Sequence, residues 1–245
     1  MLLIILAGSS IGLNIGECIM KKVLLLEFNE LTHSLMEEYI SAGHLPNFKR
    51  FYNQSQIFKT DAKANGEDLN PWIQWVSLHT GLKPEQHNVY RLNDMEKFDG
   101  DFVWDTLSRK GIKSWICGSM NTKFKNGFHG LFVYDPWATK TPLHPVGKFE
   151  TYIEFITQSV QGHASNTNVP AKDFLMYMLK NGLSVKTVIK ATIQLLKERI
   201  FGAGKWGRAM ILDRFQFDLF TYHYQKEQPT FSTFFLNSHA GIISA

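Results

Sequence analysis

A short run of apolar residues, Val23–Phe28 (VLLLEF), passes directly into the polar residues Asn29 and Glu30. Such a run is typical of a strand that is buried on both faces of a parallel sheet. In an open α/β sheet, the ligand site lies beyond the carboxyl ends of the strands. The polar residues at the end of this run are therefore candidates for function.

Strand-like and helical segments alternate along much of the chain. The pattern predicts strands over residues 23–28, 56–60, 112–117 and 230–236, and helices over residues 31–42, 46–51, 71–81, 102–110 and 209–226. This alternation favours an α/β fold with an open, mostly parallel sheet flanked by helices.

The alternation stops between residues 134 and 206, where three helical segments follow one another without a strand. We interpret residues 134–206 as a helical insertion or cap in an α/β core formed by residues 21–133 and 207–245. The insertion also offers a surface for docking a partner, with aromatic residues as candidate contacts. These residues are Tyr152, Phe155, Phe174 and Tyr177.

The sequence continues for only nine residues after the last predicted strand. A parallel strand normally leads into a crossover connection, and these residues are too few to form one. We therefore expect the core to be incomplete at the C-terminus, as in a truncated reading frame or a fragment of a longer protein.

Residues 1–20 are interpreted as an N-terminal extension or a weak signal-like segment. Residues 2–8 (LLIILAG) resemble the apolar part of a signal peptide, but no Lys or Arg precedes them, and the run is too short to span a membrane. An extension upstream of a start at Met20 is favoured, with a cytoplasmic location, and export is the alternative. We expect deletion of residues 1–19 to leave thermal stability unchanged.

The composition excludes several classes of protein. With 44% hydrophobic residues and a net charge of +4, the chain is not a disordered protein. Its 26 basic residues are scattered among 22 acidic ones, which argues against a nucleic-acid partner. Cys18 and Cys117 are far apart in sequence and are expected to be reduced structural thiols.

Several polar positions have both a functional and a structural interpretation. Glu27 and Glu30 could together bind a hard cation or zinc. In the structural interpretation, Glu27 is a hydrogen-bonded acid at the end of the strand and Glu30 caps the following helix. The helix opening at Asn70 and Pro71 could bind an anion, although most helix openings bind only water. His79 and His87 are expected to be structural hydrogen-bonding groups more often than ligands.

Three motifs together resemble the N-terminal half of a known family. They are KVLLLEFN at residues 22–29, HLPNF at residues 44–48 and SLHTGLKPEQH at residues 77–87. Their order is similar to that of the type I phosphodiesterase and nucleotide pyrophosphatase group of the alkaline phosphatase superfamily. The resemblance covers about residues 21–125 and 207–237, and the turn at residues 80–87 is its most specific part.

The resemblance implies an alkaline phosphatase-like fold and hydrolysis of phosphate or sulfate esters at divalent metal ions, with zinc as the first expectation. It places Glu27 and Asn237 at metal-binding positions, and it places the nucleophile at Asn70 and Pro71. Neither Asn nor Pro supplies a hydroxyl nucleophile. The ligand implied is a small phosphate or sulfate ester. We expect the chain to have no integral membrane span.

Two functions therefore remain open. The first is a metal-dependent hydrolase homologue that is impaired or is a fragment of an active enzyme. The second is a catalytically silent binding or partner-docking protein on the same fold. In both cases we expect no turnover of phosphate esters by this chain.

Overall fold

The computed structural model describes residues 2–7, 22–29, 31–60, 69–138, 141–161, 168–201 and 206–236. The strands are β1 (Leu2–Ala7), β2 (Val23–Phe28), β3 (Ser114–Cys117), β4 (Gly130–Val133) and β5 (Phe231–Leu236). The helices are α1 (His33–Ser41), α2 (Pro46–Asn53), α3 (Pro71–Thr80), α4 (Pro84–His87), α5 (Val103–Arg109), α6 (Glu150–Gln161), α7 (Ala171–Lys180), α8 (Val185–Phe201) and α9 (Trp206–Glu227).

The strands form one sheet in the order β1-β2-β5-β3-β4. Strands β2, β5, β3 and β4 are parallel to one another, and β1 is antiparallel to β2 at one edge of the sheet. The predicted α/β class with a mostly parallel sheet is confirmed at this level.

Alternate side chains of the strands point to opposite faces of the sheet, and each face has its own core. On one face, Trp115 and Phe234 pack with Phe149, Tyr152 and Leu219 from the α6 and α9 side. On the other face, Leu25 and Ile116 pack with residues of α3 and α5, including Val76 and Trp104. The sheet is therefore covered by helices on both sides.

The helices assigned to the insertion share the core of the sheet. Phe174 of α7 is buried in the same cluster as strand residues Cys117 and Val133. Tyr152 and Phe174 are 1% and 4% exposed, and Phe155 and Tyr177 are partly buried against the same cluster. Tyr152 and Phe174 are therefore core residues and are not available as docking contacts, whereas partner docking elsewhere on residues 134–206 stays a prediction.

The structure differs from the sequence-based prediction at three strands. Residues 56–60 form no strand, and the apolar side chains of Ile57 and Phe58 remain exposed. The structure adds β4, a strand of only four residues, and β1, which lies in the segment interpreted as an extension. The pairing of β1 with β2 is continuous from Leu2 opposite Phe28 to Ala7 opposite Val23.

Candidate functional site

Helix α3 lies over the carboxyl half of β2, and its sequence defines both of its ends. Asn70 is the N-cap residue and Pro71 occupies the first turn, where its missing N–H costs no hydrogen bond. At the other end, Gly81 has a φ of 72°, which glycine adopts without the strain that a Cβ would cause. The helix therefore has a fixed start and a fixed end over the sheet.

Glu27 of β2 forms a hydrogen bond with His79 in the last turn of α3. Oε1 of Glu27 and Nε2 of His79 are 2.9 Å apart, and both side chains are fully buried. The imidazole also stacks on Trp75 at 5.8 Å and contacts the ring of Trp104 at 5.2 Å. The pair is thus enclosed by aromatic rings beneath the helix.

The second polar atom of each side chain is also buried. Oε2 of Glu27 and Nδ1 of His79 have no hydrogen-bond partner among the residues that the structure describes. Burial raises the pKa of the Cys117 thiol well above the usual range, and the charge of the nearby Glu27 carboxylate raises this pKa further. The Cys117 thiol is free and buried, as expected for a structural cysteine.

Glu27 and Asn70 lie on the same side of the sheet but at opposite ends of α3. His79 is nine positions after Asn70, which is about 13.5 Å along a helix axis at 1.5 Å per residue. His79 contacts Glu27, whereas Trp75, one turn earlier, donates from Nε1 to Oδ1 of Asn29 at 3.5 Å. Asn29, which follows β2, therefore lies nearer to the helix opening than Glu27 does.

The opening of α3 is satisfied by its own residues. Oδ1 of Asn70 accepts from the backbone N–H of Trp72 at 3.1 Å. The backbone carbonyl of Asn70 accepts from the N–H groups of Ile73 and Gln74 at 3.0 and 3.2 Å. Because Pro71 has no N–H, every amide of the first turn is capped or absent, and the opening offers little for an anion.

Hydroxyl groups from two neighbouring strands meet near the carboxyl edge of the sheet. Oγ of Ser119, which follows β3, is 2.7 Å from Oγ1 of Thr233 in β5. Thr122 donates its hydroxyl to the backbone carbonyl of Ser119 at 2.9 Å. All three side chains are buried, so they fix the loop after β3.

Asn121 joins this loop to the first turn of α3. Its φ of 52° is in the left-handed region, and its side-chain Nδ2 donates to the carbonyl of Trp72 at 3.1 Å. Its backbone N–H donates to Oδ2 of Asp135 at 3.0 Å. Asn121 is therefore the residue that links α3 to the loops after β3 and β4.

Asp135, two residues after β4, is the functional candidate that the sequence analysis missed. Burial raises its pKa to about 6, although the N–H groups of Asn121 and Trp137 donate to its carboxylate and act in the opposite direction. The only signal in the sequence was its position after a strand, and that strand was not predicted.

His87 forms a hydrogen bond with Ser77, and the direction of this bond follows from the other ring nitrogen. Nδ1 of His87 accepts from the backbone N–H of Val89 at 3.0 Å, so the proton of the neutral ring is on Nε2. Nε2 therefore donates to Oγ of Ser77 at 3.0 Å. Burial lowers the pKa of His87, which favours this neutral form. The ring is not arranged to take a proton from Ser77.

The described residues include only part of the divalent-metal site that the family resemblance implies, and the metal stays a prediction. Glu27 bonds to His79 inside the core, and Asn29 offers only a neutral amide. Within the described ranges, no three His, Cys, Asp or Glu side chains come together as a metal-binding group. Asn237 and Glu30, the other predicted ligands or caps, lie outside the described residues.

No family model, curated protein or solved structure matches the chain. The resemblance to the phosphodiesterase group therefore rests on the motifs at residues 22–29, 44–48 and 77–87. Among the described helices, none is both long and apolar enough to cross a bilayer.

Proposed function

We propose that this chain binds a small phosphate or sulfate ester at the carboxyl edge of its sheet and does not hydrolyse it. The ester class follows from the family resemblance, and the location follows from the position of ligand sites in open α/β sheets. The single observation that carries the proposal is that the side chains of Glu27 and Asn70 are each hydrogen-bonded to another residue of the fold.

Two of the residues at the positions implied for chemistry, Glu27 and Asn70, are engaged within the fold. The Glu27 carboxylate is bonded to His79 beneath α3, and the Asn70 amide caps Trp72. Neither group is a hydroxyl nucleophile, and Glu27 is fully excluded from solvent. These contacts support a binding role over a catalytic one.

The edge itself is held in one arrangement by side chains from separate loops. Asn121 bonds to the carbonyl of Trp72, while Asp135 bonds to the backbone of Asn121 and Trp137. Preorganised polar loops lower the entropy lost on binding.

One assay separates binding from hydrolysis. The protein is mixed with bis(4-nitrophenyl) phosphate or 4-nitrophenyl sulfate, and both its melting temperature and the release of nitrophenolate are recorded. We expect a rise in melting temperature and no release above the buffer rate. Absence of a shift with either ester contradicts the proposal.

A matched pair of variants locates the site. Asn121→Gly keeps the left-handed backbone but removes the bond to Trp72, so the ligand-induced shift should fall. Asn88→Gly makes the same change at a second asparagine with positive φ, which is exposed at the end of α4. That control should retain the full shift.

Metal-dependent hydrolysis is the second candidate function, and one observation favours it. Oε2 of Glu27 and Nδ1 of His79 have no partner among the described residues, so each could accept an additional contact. Purified protein that contains a divalent metal, and that releases nitrophenolate in a manner abolished by Glu27→Gln, would support this function and reject the binding-only proposal.

A further inference from the structure

Helix α8 exposes a large amount of apolar side chain. Val185 is 75% exposed and Ile200 is 67% exposed, and the other members of the set lie between 41% and 53%. We call this set the α8 stripe: Val185, Val188, Ile189, Ile193, Leu195, Leu196 and Ile200. A contiguous apolar surface of this kind marks an interaction site in a soluble protein.

The stripe lies on the face of α8 that points away from the rest of the fold. At 100° per residue, its seven members fall within an arc of about 160°, in which Thr192 and Arg199 are the polar residues. The inward face carries Thr187 and Ala191, which are buried, and α8 packs on α9. The usual arrangement, with the apolar face inward, is therefore reversed.

A row of cations borders one side of the stripe. Lys186, Lys190 and Lys197 fall within about 40° of one another on the helical projection, next to Ile193. Lys190 also lines a shallow cleft with Arg214 of α9, and repulsion from Arg214 lowers the pKa of Lys190. In the described part of the chain, neither Lys190 nor Arg214 has a carboxylate within ion-pair distance.

We propose that α8 docks on the surface of an anionic lipid bilayer. An apolar face bordered by lysines matches a helix that lies in the membrane interface, where the apolar residues enter the acyl boundary and the cations contact lipid phosphates. Seventeen residues span about 25 Å along the axis, which suits a helix lying flat on the surface.

Charge argues against a second copy of the chain as the occupant. The only acidic residue of α8 is Glu198, which is partly buried on the side of Thr187 and Ala191. Two stripes placed face to face in an antiparallel pair would bring their lysine rows together without a matching acid. An anionic surface complements the same row.

Vesicle flotation with the full chain tests the proposal. We expect the protein to float with vesicles of phosphatidylcholine mixed with phosphatidylserine, to bind less as salt is raised, and to bind little to phosphatidylcholine alone. Substituting Lys186, Lys190 and Lys197 by Gln should reduce partitioning on the order of 100-fold. The same change at the exposed Lys49, Lys59 and Lys110 is the charge-matched control.

A second pair of variants tests the apolar contribution. Ile189→Ser with Ile193→Ser should abolish flotation, whereas Phe58→Ser with Val146→Ser, which changes exposed apolar residues elsewhere, should not. Circular dichroism and melting temperature establish that each variant is folded. These readouts do not depend on ester binding, so they distinguish this inference from the proposed function.

Three outcomes overturn the inference. They are equal binding to neutral and anionic vesicles, equal loss in the two lysine triples, and absence of flotation. Absence of flotation together with a dimer that Ile189→Ser and Ile193→Ser dissociate would assign the stripe to a second copy instead.

Discussion

Nε2 of His79 lies 2.9 Å from Oε1 of Glu27, and both side chains are completely buried between β2 and α3. This bond connects the sheet to the helix that covers it. It also gives the Glu27 carboxylate a structural role at the place where the family resemblance implies a metal ligand.

We expect Glu27→Leu to lower the free energy of unfolding by about 2–5 kcal/mol, because it leaves the buried His79 ring without its partner. The double variant Glu27→Leu with His79→Phe should recover much of that loss, since both polar groups are then removed. Urea unfolding of the two single variants and the double variant measures the coupling. Purely additive changes would show that the pair does not act as a unit, and Glu85→Gln, at an exposed site, should change stability by less than about 0.5 kcal/mol.

We expect deletion of residues 1–7 to destabilise the protein, contrary to the expectation from the sequence. The six paired positions of β1 cover the edge of β2, and their loss exposes that edge to water. A loss of even about 1 kcal/mol lowers the melting temperature of a chain this size by about 2–4 °C. Ile4→Pro should act in the same direction because proline disrupts a strand, whereas Ile4→Val should be close to neutral. An unchanged melting temperature in both the deletion and Ile4→Pro would mean that β1 adds no stability.

Much of the fold could be predicted because local signals agreed with the tertiary structure. The helix α3 has a proline at its start and a glycine after its end, and β2 and β5 are short, mostly apolar runs. The prediction of a strand over residues 56–60 is wrong because it was based on the strand propensity of these residues alone. Ile57 and Phe58 are exposed, so no burial supports a strand there.

The site was harder to predict because it depends on how a helix is placed over a strand. Alternation along β2 puts Leu25 and Glu27 on the same face, and Leu25 is in the core under α3. That pattern could have shown that Glu27 points at a helix. It could not have shown that the helix residue facing Glu27 is His79, since this depends on packing between distant segments.

We expect Asp135 to make stability fall as pH rises from about 4 to 6. Its pKa is raised to about 6 in the folded protein, so its contribution is fully present below the unfolded value near 4 and is lost as the carboxyl ionises. The loss should approach about 3 kcal/mol. Asp135→Asn should remove this dependence, whereas Asp173→Asn, at an exposed site on α7, should retain it. Urea unfolding across this pH range measures the difference, and parallel curves for wild type and Asp135→Asn would contradict the assignment.

We expect His223 of α9 to have the opposite effect and to destabilise the protein in acid. Its ring is buried against Trp115 and Phe149, and burial lowers its pKa to about 4. The neutral ring is favoured in the fold, so the contribution of His223 is present above the unfolded value near 6.5 and is lost as pH falls toward 4. In His223→Phe, the ring contacts remain and the titration is removed, so up to about 3 kcal/mol of acid destabilisation should disappear. His44→Phe, at an exposed histidine, should follow the wild-type curve across this pH range. If the curves of His223→Phe and the wild type are parallel between pH 6.5 and 4, His223 does not contribute to the pH dependence.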